Sequence, residues 1–217
     1  MHPSKKMYYY TSDLHFGYAD IIKNEKRPFK TVEEMNESLI KNFNEVLSKD
    51  DILFILGDVA WHGYNPCTEL KKIHGKKVLI KGNHDEALLK HKSFRECFID
   101  IRSTELFRDG NKKIFLSHYP MAEWDGYYKG IYHFYGHVHN SDMGAGYLMK
   151  LYPTAVNVGV DCNNFYPKTA EQLIDERLCN YRENCPSLPQ EFMDKAIFIK
   201  DMDDRGGKKV DFQKLIL

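Results

Sequence analysis

The apolar run Ile-Leu-Phe-Ile-Leu at residues 52–56 ends in Gly57 and Asp58, and this stretch constrains the fold more than any other part of the chain. A short apolar run followed by glycine is typical of a buried strand, because glycine lets the backbone turn sharply as it leaves the sheet. Asp58 is therefore predicted to stand at the rigid end of a strand, with its carboxylate available for chemistry.

Four other apolar or aromatic runs also end in polar residues. Residues 7–10, 78–80, 114–116 and 132–135 lead, in that order, into Asp13-Leu14-His15, Gly82-Asn83-His84-Asp85, Ser117-His118 and Gly136-His137-Val138-His139. In an open α/β sheet, residues at the carboxyl ends of neighbouring strands meet along one edge. The five clusters therefore predict a single site.

The length and composition of the chain indicate one globular domain. It has 217 residues, of which 42% are hydrophobic and 29% are charged. We therefore predict a single domain over residues 1–217. The tail from about residue 186 could form a C-terminal extension, in which residues 196–200 and 209–217 pair as a hairpin.

Charge and cysteine usage narrow the possible partners and compartment. The formal net charge is zero, so the composition carries no strong signature of a nucleic-acid-binding protein. Five cysteines with no C-x-x-C pair indicate reduced thiols. The first residues lack the apolar segment of a signal peptide, and no window is long enough to span a bilayer. We therefore expect a cytoplasmic protein with no membrane partner.

Capping and turn signals divide the rest of the chain. Thr31 and Glu34 form a capping box that predicts a helix with apolar residues recurring as far as Leu47. Asp109-Gly110 predicts a hairpin turn between strands at residues 98–107 and 111–116. Further predictions are a short helix between Asn65 and Gly75, helices at residues 85–91 and 169–181, and a loop at residues 140–150.

Seven polar side chains in the five clusters are of types that bind divalent cations: Asp13, His15, Asp58, Asn83, His118, His137 and His139. Such a set without cysteine suits manganese, iron, nickel or zinc. Seven ligands exceed the need of one ion, but they suit two ions that share a carboxylate. Two such ions clamp a phosphoryl group and generate a hydroxide nucleophile at neutral pH. A lone histidine is usually an ordinary core or surface residue, which does not explain five clusters at strand ends.

The order of these clusters resembles the motifs of the calcineurin-like metallophosphoesterase superfamily. The pattern D-x-H, G-D, G-N-H-D, a lone H and G-H-x-H stands here as Asp13-Leu14-His15, Gly57-Asp58, Gly82-Asn83-His84-Asp85, His118 and Gly136-His137-Val138-His139. The strand Asn157-Val158-Gly159-Val160 is similar to the closing core strand of that family. The resemblance covers roughly three quarters of the chain, counted along the sequence from these motifs.

The resemblance implies an α/β (α+β) fold: a four-layer sandwich of two facing mixed β-sheets flanked by helices. It also implies a division of the ligands. One ion is held by Asp13, His15, Asp58 and His139, and the other by Asp58, Asn83, His118 and His137, so that Asp58 bridges. His84 matches the catalytic histidine, which stabilises the transferring phosphoryl group or protonates the leaving oxygen. Asp85 either caps the following helix or orients His84.

Departures from the subgroups of the superfamily narrow the substrate. Ser/Thr protein phosphatases carry G-D-x-x-D-R-G, where this chain has Trp61 and His62 in place of the acid and the arginine. The lipid A pathway hydrolases carry an arginine where this chain has His84. With these two subgroups set aside, the motifs of this chain are similar to those of the small bacterial and phage-type phosphoesterases, many of which are phosphodiesterases.

The predicted function is therefore a dinuclear-metal phosphodiesterase in which a metal-bound hydroxide attacks the phosphorus. The alternatives are a phosphomonoesterase for a small molecule or nucleotide, and a non-catalytic scaffold with the same fold. Arg27 and His62 are candidate substrate contacts, although Arg27 could equally be solvated. Trp61, Tyr119 and Trp124 are further candidates to line the pocket, where the tryptophans either stack on a base or pack beneath loops.

Overall fold

Two mixed β-sheets form the centre of the computed structural model, which describes residues 6–184. The predicted hairpin of residues 196–200 and 209–217 lies outside the described residues. The first sheet has the strand order β4-β3-β2-β1-β9, in which β9 is antiparallel to β1 and the other pairs are parallel. Its strands are β1 (Tyr8–Thr11), β2 (Ile52–Ile55), β3 (Lys76–Ile80), β4 (Asp100–Arg102) and β9 (Lys168–Thr169).

The second sheet has the order β5-β6-β7-β8. Its strands are β5 (Thr104–Asp109), β6 (Lys112–Ser117), β7 (Tyr132–Tyr135) and β8 (Ala155–Asn157). β5 and β6 form the antiparallel hairpin predicted at Asp109-Gly110, while β6, β7 and β8 run parallel. Parallel neighbours end at the same edge of the sheet, so the residues that follow β6 and β7 emerge side by side.

The two faces of the first sheet pack against different layers, because side chains alternate along a strand. Leu53 and Ile55 on one face of β2 join a core with the helices on the outside, which includes Leu39. Ile52 and Phe54 on the other face join a second core with residues of the opposite sheet, such as Phe134. A third core covers the outer face of the second sheet. The predicted sandwich of two mixed sheets flanked by helices is confirmed.

Six α-helices complete the described part of the chain: α1 (Ala19–Asn24), α2 (Val32–Val46), α3 (Cys67–Lys72), α4 (Lys92–Arg95), α5 (Gly144–Lys150) and α6 (Ala170–Asn184). Thr31 caps α2 as predicted, since its hydroxyl accepts a hydrogen bond from the Glu34 amide at 3.2 Å. The Glu34 carboxylate accepts from the amide of Lys30, one residue before the expected partner. Among the described residues, no helix has the length and apolar character needed to cross a membrane.

Three sequence predictions about local structure were wrong. Residues 98–107 form two strands, since the chain leaves β4 in the first sheet and enters β5 in the second at Ser103. Residues 140–150 contain α5, where the absence of a side chain at Gly146 allows close contact with the Ser141 carbonyl. Residues 85–91 contain only a 3-10 turn, Leu88–Lys90, because the side chain of Asp85 is engaged elsewhere, as described below.

The buried ring of His133 predicts a pH dependence of stability. Its Nε2 accepts from the Met121 amide at 3.1 Å and its Nδ1 lies 3.3 Å from the Phe115 carbonyl, an arrangement that requires the neutral ring. Burial lowers the pKa of His133 from 6.5 to about 4. Between these two pH values the His133 ring is protonated in the unfolded chain and neutral in the folded chain. As the pH falls from 6.5 to 4, we expect His133 to reduce the free energy of unfolding by about 3 kcal/mol.

Urea denaturation at several pH values between 7 and 4 checks this expectation. His133→Gln can preserve both hydrogen bonds without titrating, so its stability should fall less steeply with acid than that of the wild type. His91→Gln changes an exposed histidine and should keep the wild-type dependence. Equal slopes for wild type and His133→Gln would show that the buried ring does not control acid stability.

Candidate metal centre

Backbone hydrogen bonds bring the predicted strand ends together where the two sheets meet. The amide of Asp13 donates to the Gly57 carbonyl at 3.1 Å, and the amide of His15 donates to the Asp58 carbonyl at 3.0 Å. Ser12 forms an isolated parallel bridge with Gly159, which joins the end of β1 to the segment after β8. Residues from both sheets therefore converge on one site, as the clusters predicted.

Five of the seven predicted ligands have a left-handed backbone, with φ between 46° and 71°: Asp13, His15, Asp58, His137 and His139. A non-glycine residue in this region costs about 1–3 kcal/mol and persists only where its surroundings hold it there. The strain is concentrated at the end of the sheets where polar side chains meet, which is typical of functional sites.

Two glycines permit the closest backbone approach in the site. A Cβ on Gly82 would lie 2.3 Å from Oδ1 of Asp58, and a Cβ on Gly57 would lie 2.6 Å from the Gly82 Cα. Real side chains do not tolerate such distances. The glycines of the G-D and G-N-H-D clusters are therefore needed to seat Asp58 against the loop after β3.

The ligand side chains form two groups, in each of which one donor atom per residue lies within 4.8 Å of the others. We call Asp13, His15 and His139 the first half-site, and Asp58, His118 and His137 the second half-site. Asp58 lies between them, because its Oδ2 is 3.7 Å from Nε2 of His15 and its Oδ1 is 3.5 Å from Nε2 of His118. The family resemblance predicts in addition that Asp58 serves the first half-site and Asn83 the second, and this division of the ligands between two ions stays a prediction.

The hydrogen bonds of the histidines fit bound cations. Both ring nitrogens of His15 are buried and have no hydrogen-bond partner among the described residues. Nδ1 of His118 lies 2.7 Å from the Leu56 carbonyl and must carry the proton, because a carbonyl oxygen only accepts. Nε2 therefore has a free lone pair. That nitrogen faces Oδ1 of Asn83 at 2.9 Å. Buried polar atoms are normally paired, so these donor atoms turned toward one another suit divalent ions.

The pKa shifts of His15 and Asp58 also suit the binding of metal ions by these side chains. Burial, with smaller contributions from His139 and Arg27, lowers the pKa of His15 to about 2, so its ring is neutral as a ligand must be. Burial raises the pKa of Asp58 above its usual range, and the nearby Asp13 carboxylate adds to this effect. Cations at the site would offset the repulsion between the two carboxylates.

His84 stands beside the two half-sites without belonging to either group. Its Nε2 lies 3.8 Å from Oδ2 of Asp58, and its Nδ1 lies 3.2 Å from Nε2 of His62. The side chain is 22% exposed, whereas that of Asp58 is 3% exposed. Burial and then the adjacent His62 lower the pKa of His84. The ring can therefore reach a molecule that enters the site from solvent.

Asp85 neither caps a helix nor orients His84. Its carboxylate is fully buried and accepts hydrogen bonds from the amides of Asp58, Val59 and Gly82 at 2.8–3.0 Å. It thereby ties the loop after β2 to the loop after β3. Its role in the site is to fix the backbone around Asp58.

Arg27 is not exposed to a substrate, which contradicts the prediction that it contacts one. Its side chain is 0% exposed and forms an ion pair with Asp161, with Nε and Oδ1 at 2.8 Å. Oδ2 of Asp161 in turn lies 2.7 Å from Nδ1 of His139. Sequence reasoning missed Asp161 entirely. The available signal was its position directly after the closing strand, Asn157-Val158-Gly159-Val160, at the same end of the sheet as the ligands.

The aromatic candidates divide between packing and the site itself. Trp124 is buried, and its Nε1–H donates to the Ile131 carbonyl, so it packs beneath a loop. Trp61 stacks on Tyr18 with ring centroids 3.7 Å apart and lies 5.0 Å from the His84 ring. Tyr119 is 47% exposed and its ring lies 4.4 Å from that of His137. Trp61 and Tyr119 therefore border the site on its His84 and His137 sides.

Comparison with known proteins identifies the class to which this fold and site belong. The sequence profile of the calcineurin-like phosphoesterases matches residues 8–141, which include all five clusters. The chain therefore belongs to the calcineurin-like phosphoesterase family, whose members hydrolyse phosphoesters and bind divalent metal ions.

Individual relatives are similar to this chain over most of its length. The uncharacterized protein MJ1445 of Methanocaldococcus jannaschii is 32% identical over 79% of this chain and 91% of its own length. The gene 66 protein of Mycobacterium phage D29 is 26% identical over 70% of this chain and 87% of its own length. The crystal structure of AQ665 from Aquifex aeolicus, a protein of unknown function, covers 79% of this chain and 99% of its own, with a TM-score of 0.63 and 26% identity.

Proposed function

We propose that this chain is a phosphodiesterase that holds two divalent metal ions, one at each half-site. The observation that carries the proposal is the position of Asp58, whose two carboxylate oxygens face the histidines of different half-sites. Asp13, His15, His139 and Asp58 would hold one ion. Asp58, Asn83, His118 and His137 would hold the other. A set of nitrogen and oxygen donors without thiolate suits manganese, iron, nickel or zinc.

Different residues of this chain would bind the metal ions and act on the substrate. When bound, the two ions would supply Lewis-acid stabilisation of the phosphoryl group and activate the attacking water. The left-handed backbone at the ligand residues holds their side chains in place before the substrate arrives. His84 is the candidate catalytic residue: its Nε2 faces the centre, where it can donate a hydrogen bond to a phosphoryl oxygen or a proton to the leaving oxygen.

The charges around the site favour a diester over a monoester. A monoester dianion carries an additional charge, which enzymes usually neutralise with an arginine aimed at the phosphate. The N–H groups of Arg27 all point at protein atoms. The side chain that lies within hydrogen-bond distance of the His84 ring is that of His62, which carries no fixed charge. The monoanion of a diester needs less neutralisation and suits this arrangement better.

We expect a higher kcat/KM on an aryl phosphodiester than on the matching monoester, measured at neutral pH with Mn²⁺. His62→Arg would place a fixed positive charge beside His84 and should shift the ratio toward the monoester by about 10-fold, since a charge-assisted hydrogen bond contributes roughly 1.5–3 kcal/mol. Ile99→Arg adds the same charge at an exposed position before β4, at the opposite end of the first sheet from the site, and should leave the ratio unchanged.

A clear wild-type preference for the monoester would replace this proposal with a phosphomonoesterase acting on a small molecule or nucleotide. Absence of turnover on any phosphoester by the fully metallated chain would instead favour a binding role for the same fold. A nucleotide substrate and a cytoplasmic location also remain proposals. The second is supported by the free thiols of Cys67, Cys97, Cys162 and Cys179.

A further inference from the structure

The guanidinium of Arg27 is engaged by protein atoms on every side. An arginine has five N–H donors, and the structure gives Arg27 five acceptors. Nε and Nη2 donate to the two carboxylate oxygens of Asp161 at 2.8 and 2.9 Å. Nη2 also donates to the Asp13 carbonyl at 2.8 Å, and Nη1 donates to the Leu14 carbonyl at 3.1 Å and contacts Sδ of Met35 at 3.4 Å. Arg27 therefore joins the loop after β1 to Asp161.

Asp161 also contacts His139, one of the proposed metal ligands. Its Oδ2 accepts from Nδ1 of His139 at 2.7 Å, which fixes the ring so that Nε2 is the free nitrogen. The same carboxylate pairs with the guanidinium of Arg27 through both of its oxygens, so one buried anion faces the arginine and the ligand ring together. The Asn157 side chain also donates to the His139 carbonyl at 3.0 Å, which holds the ligand from its backbone side.

We propose that Arg27 and Asp161 are positioning residues that set the affinity of the first half-site and not of the second. This inference rests on the proposed function, because it assumes that the first half-site holds an ion. Arg27 fixes the backbone of Asp13, and Asp161 fixes the ring of His139, so two of the three side chains of this half-site depend on one buried ion pair. Neither residue lies within the five sequence clusters.

The second half-site is built differently. His118 is oriented by the Leu56 carbonyl, a backbone group that follows directly from the end of β2. The backbone amide of His137 donates to the Asp13 carboxylate, but among the described residues no hydrogen bond or ion pair joins Arg27 or Asp161 to the side chain of His118 or His137. A change in the ion pair should therefore act unequally on the two ions. Partners that orient metal ligands typically contribute 10–100-fold to metal affinity.

Mn²⁺ titration of the metal-free full-length chain, by competition with a chromophoric chelator, tests the proposal. We expect Asp161→Asn and Arg27→Lys each to weaken one of two Mn²⁺ sites by 10–100-fold and to leave the other within about twofold of the wild type. Arg177→Lys is the matched control, since Arg177 also donates to several carbonyls, those of Met149, Lys150, Tyr152 and Ala155, and none of these four residues is a proposed ligand. It should change neither affinity.

The outcomes separate this proposal from the proposed function. Equal weakening of both ions, or no weakening in folded Asp161→Asn and Arg27→Lys, would overturn the positioning role while leaving two-metal hydrolysis intact. If either variant fails to fold, the double variant Arg27→Met/Asp161→Leu removes both charges together, and the same unequal loss is expected. A wild type that binds one Mn²⁺ would overturn the dinuclear proposal. Insensitivity of that one ion to Asp161→Asn would overturn the positioning role as well, whereas a 10–100-fold loss would support it.

Discussion

Asp58→Ala is expected to weaken both metal ions together. The carboxylate stands between the half-sites, with one oxygen 3.7 Å from His15 and the other 3.5 Å from His118. Loss of a residue that only orients a ligand costs 10–100-fold in affinity, so loss of a shared ligand should cost more than about 100-fold at each site. Metal analysis of the reconstituted protein should fall from two equivalents to below one, and phosphoester hydrolysis should fall with it.

Controls for this experiment must separate ligation from folding. Asp58 is buried, so thermal unfolding of the metal-free proteins should accompany the metal analysis, and Asp58→Asn offers a variant of nearly the same shape. Asp100→Ala is the control, because it removes a partly exposed carboxylate of β4. This variant should bind two ions like the wild type. A folded Asp58→Ala that keeps one ion at wild-type affinity would show that the two half-sites do not share this carboxylate.

The residues of this candidate site can be selected from the sequence because the information that marks them is local. In each cluster the strand and the polar residues that follow it are contiguous, so one short segment encodes both the position and the chemistry of a ligand. The glycines next to Asp58 and Asn83 belong to the same segments. The structure brings together all seven predicted ligands and places His84 beside them.

The parts that sequence reasoning missed depend on contacts between distant segments. Arg27 and Asp161 are 134 residues apart, and neither has a local pattern that indicates an ion pair. An arginine in a polar, basic segment is more often a surface residue, so the sequence predicts a substrate contact or a solvated side chain for Arg27 and not a buried ion pair. Asp85 was misassigned for the same reason: its partners Asp58 and Val59 belong to another strand end.

The errors in secondary structure have a similar origin. A continuous run of strand-forming residues at 98–107 contains no signal for the change of sheet at Ser103, because both β4 and β5 are extended. Gly144 and Gly146 favour a loop by propensity, yet the burial of Met149 at the end of α5 fixes a helix there. Tertiary packing overrides local preference in both places.

His84→Ala is expected to keep both ions and to lose most of the activity. The His84 ring belongs to neither half-site, and its Nε2 faces Asp58 from a distance of 3.8 Å, so its removal takes away no ligand. If the ring stabilises the phosphoryl group or protonates the leaving oxygen, kcat should fall by about 10²–10⁴-fold, the usual contribution of general acid–base catalysis.

The dependence on the leaving group shows which role the ring has. A proton is needed most by a poor leaving group, so the loss in His84→Ala should be greater for an alkyl ester than for a nitrophenyl ester. A similar loss for both esters would indicate that the ring stabilises the phosphoryl group instead. His91→Ala removes an exposed histidine outside the strand-end clusters and should retain the wild-type rate. Full activity of His84→Ala with two ions bound would mean that His84 is a spectator, and that the metals and their ligands alone carry the reaction.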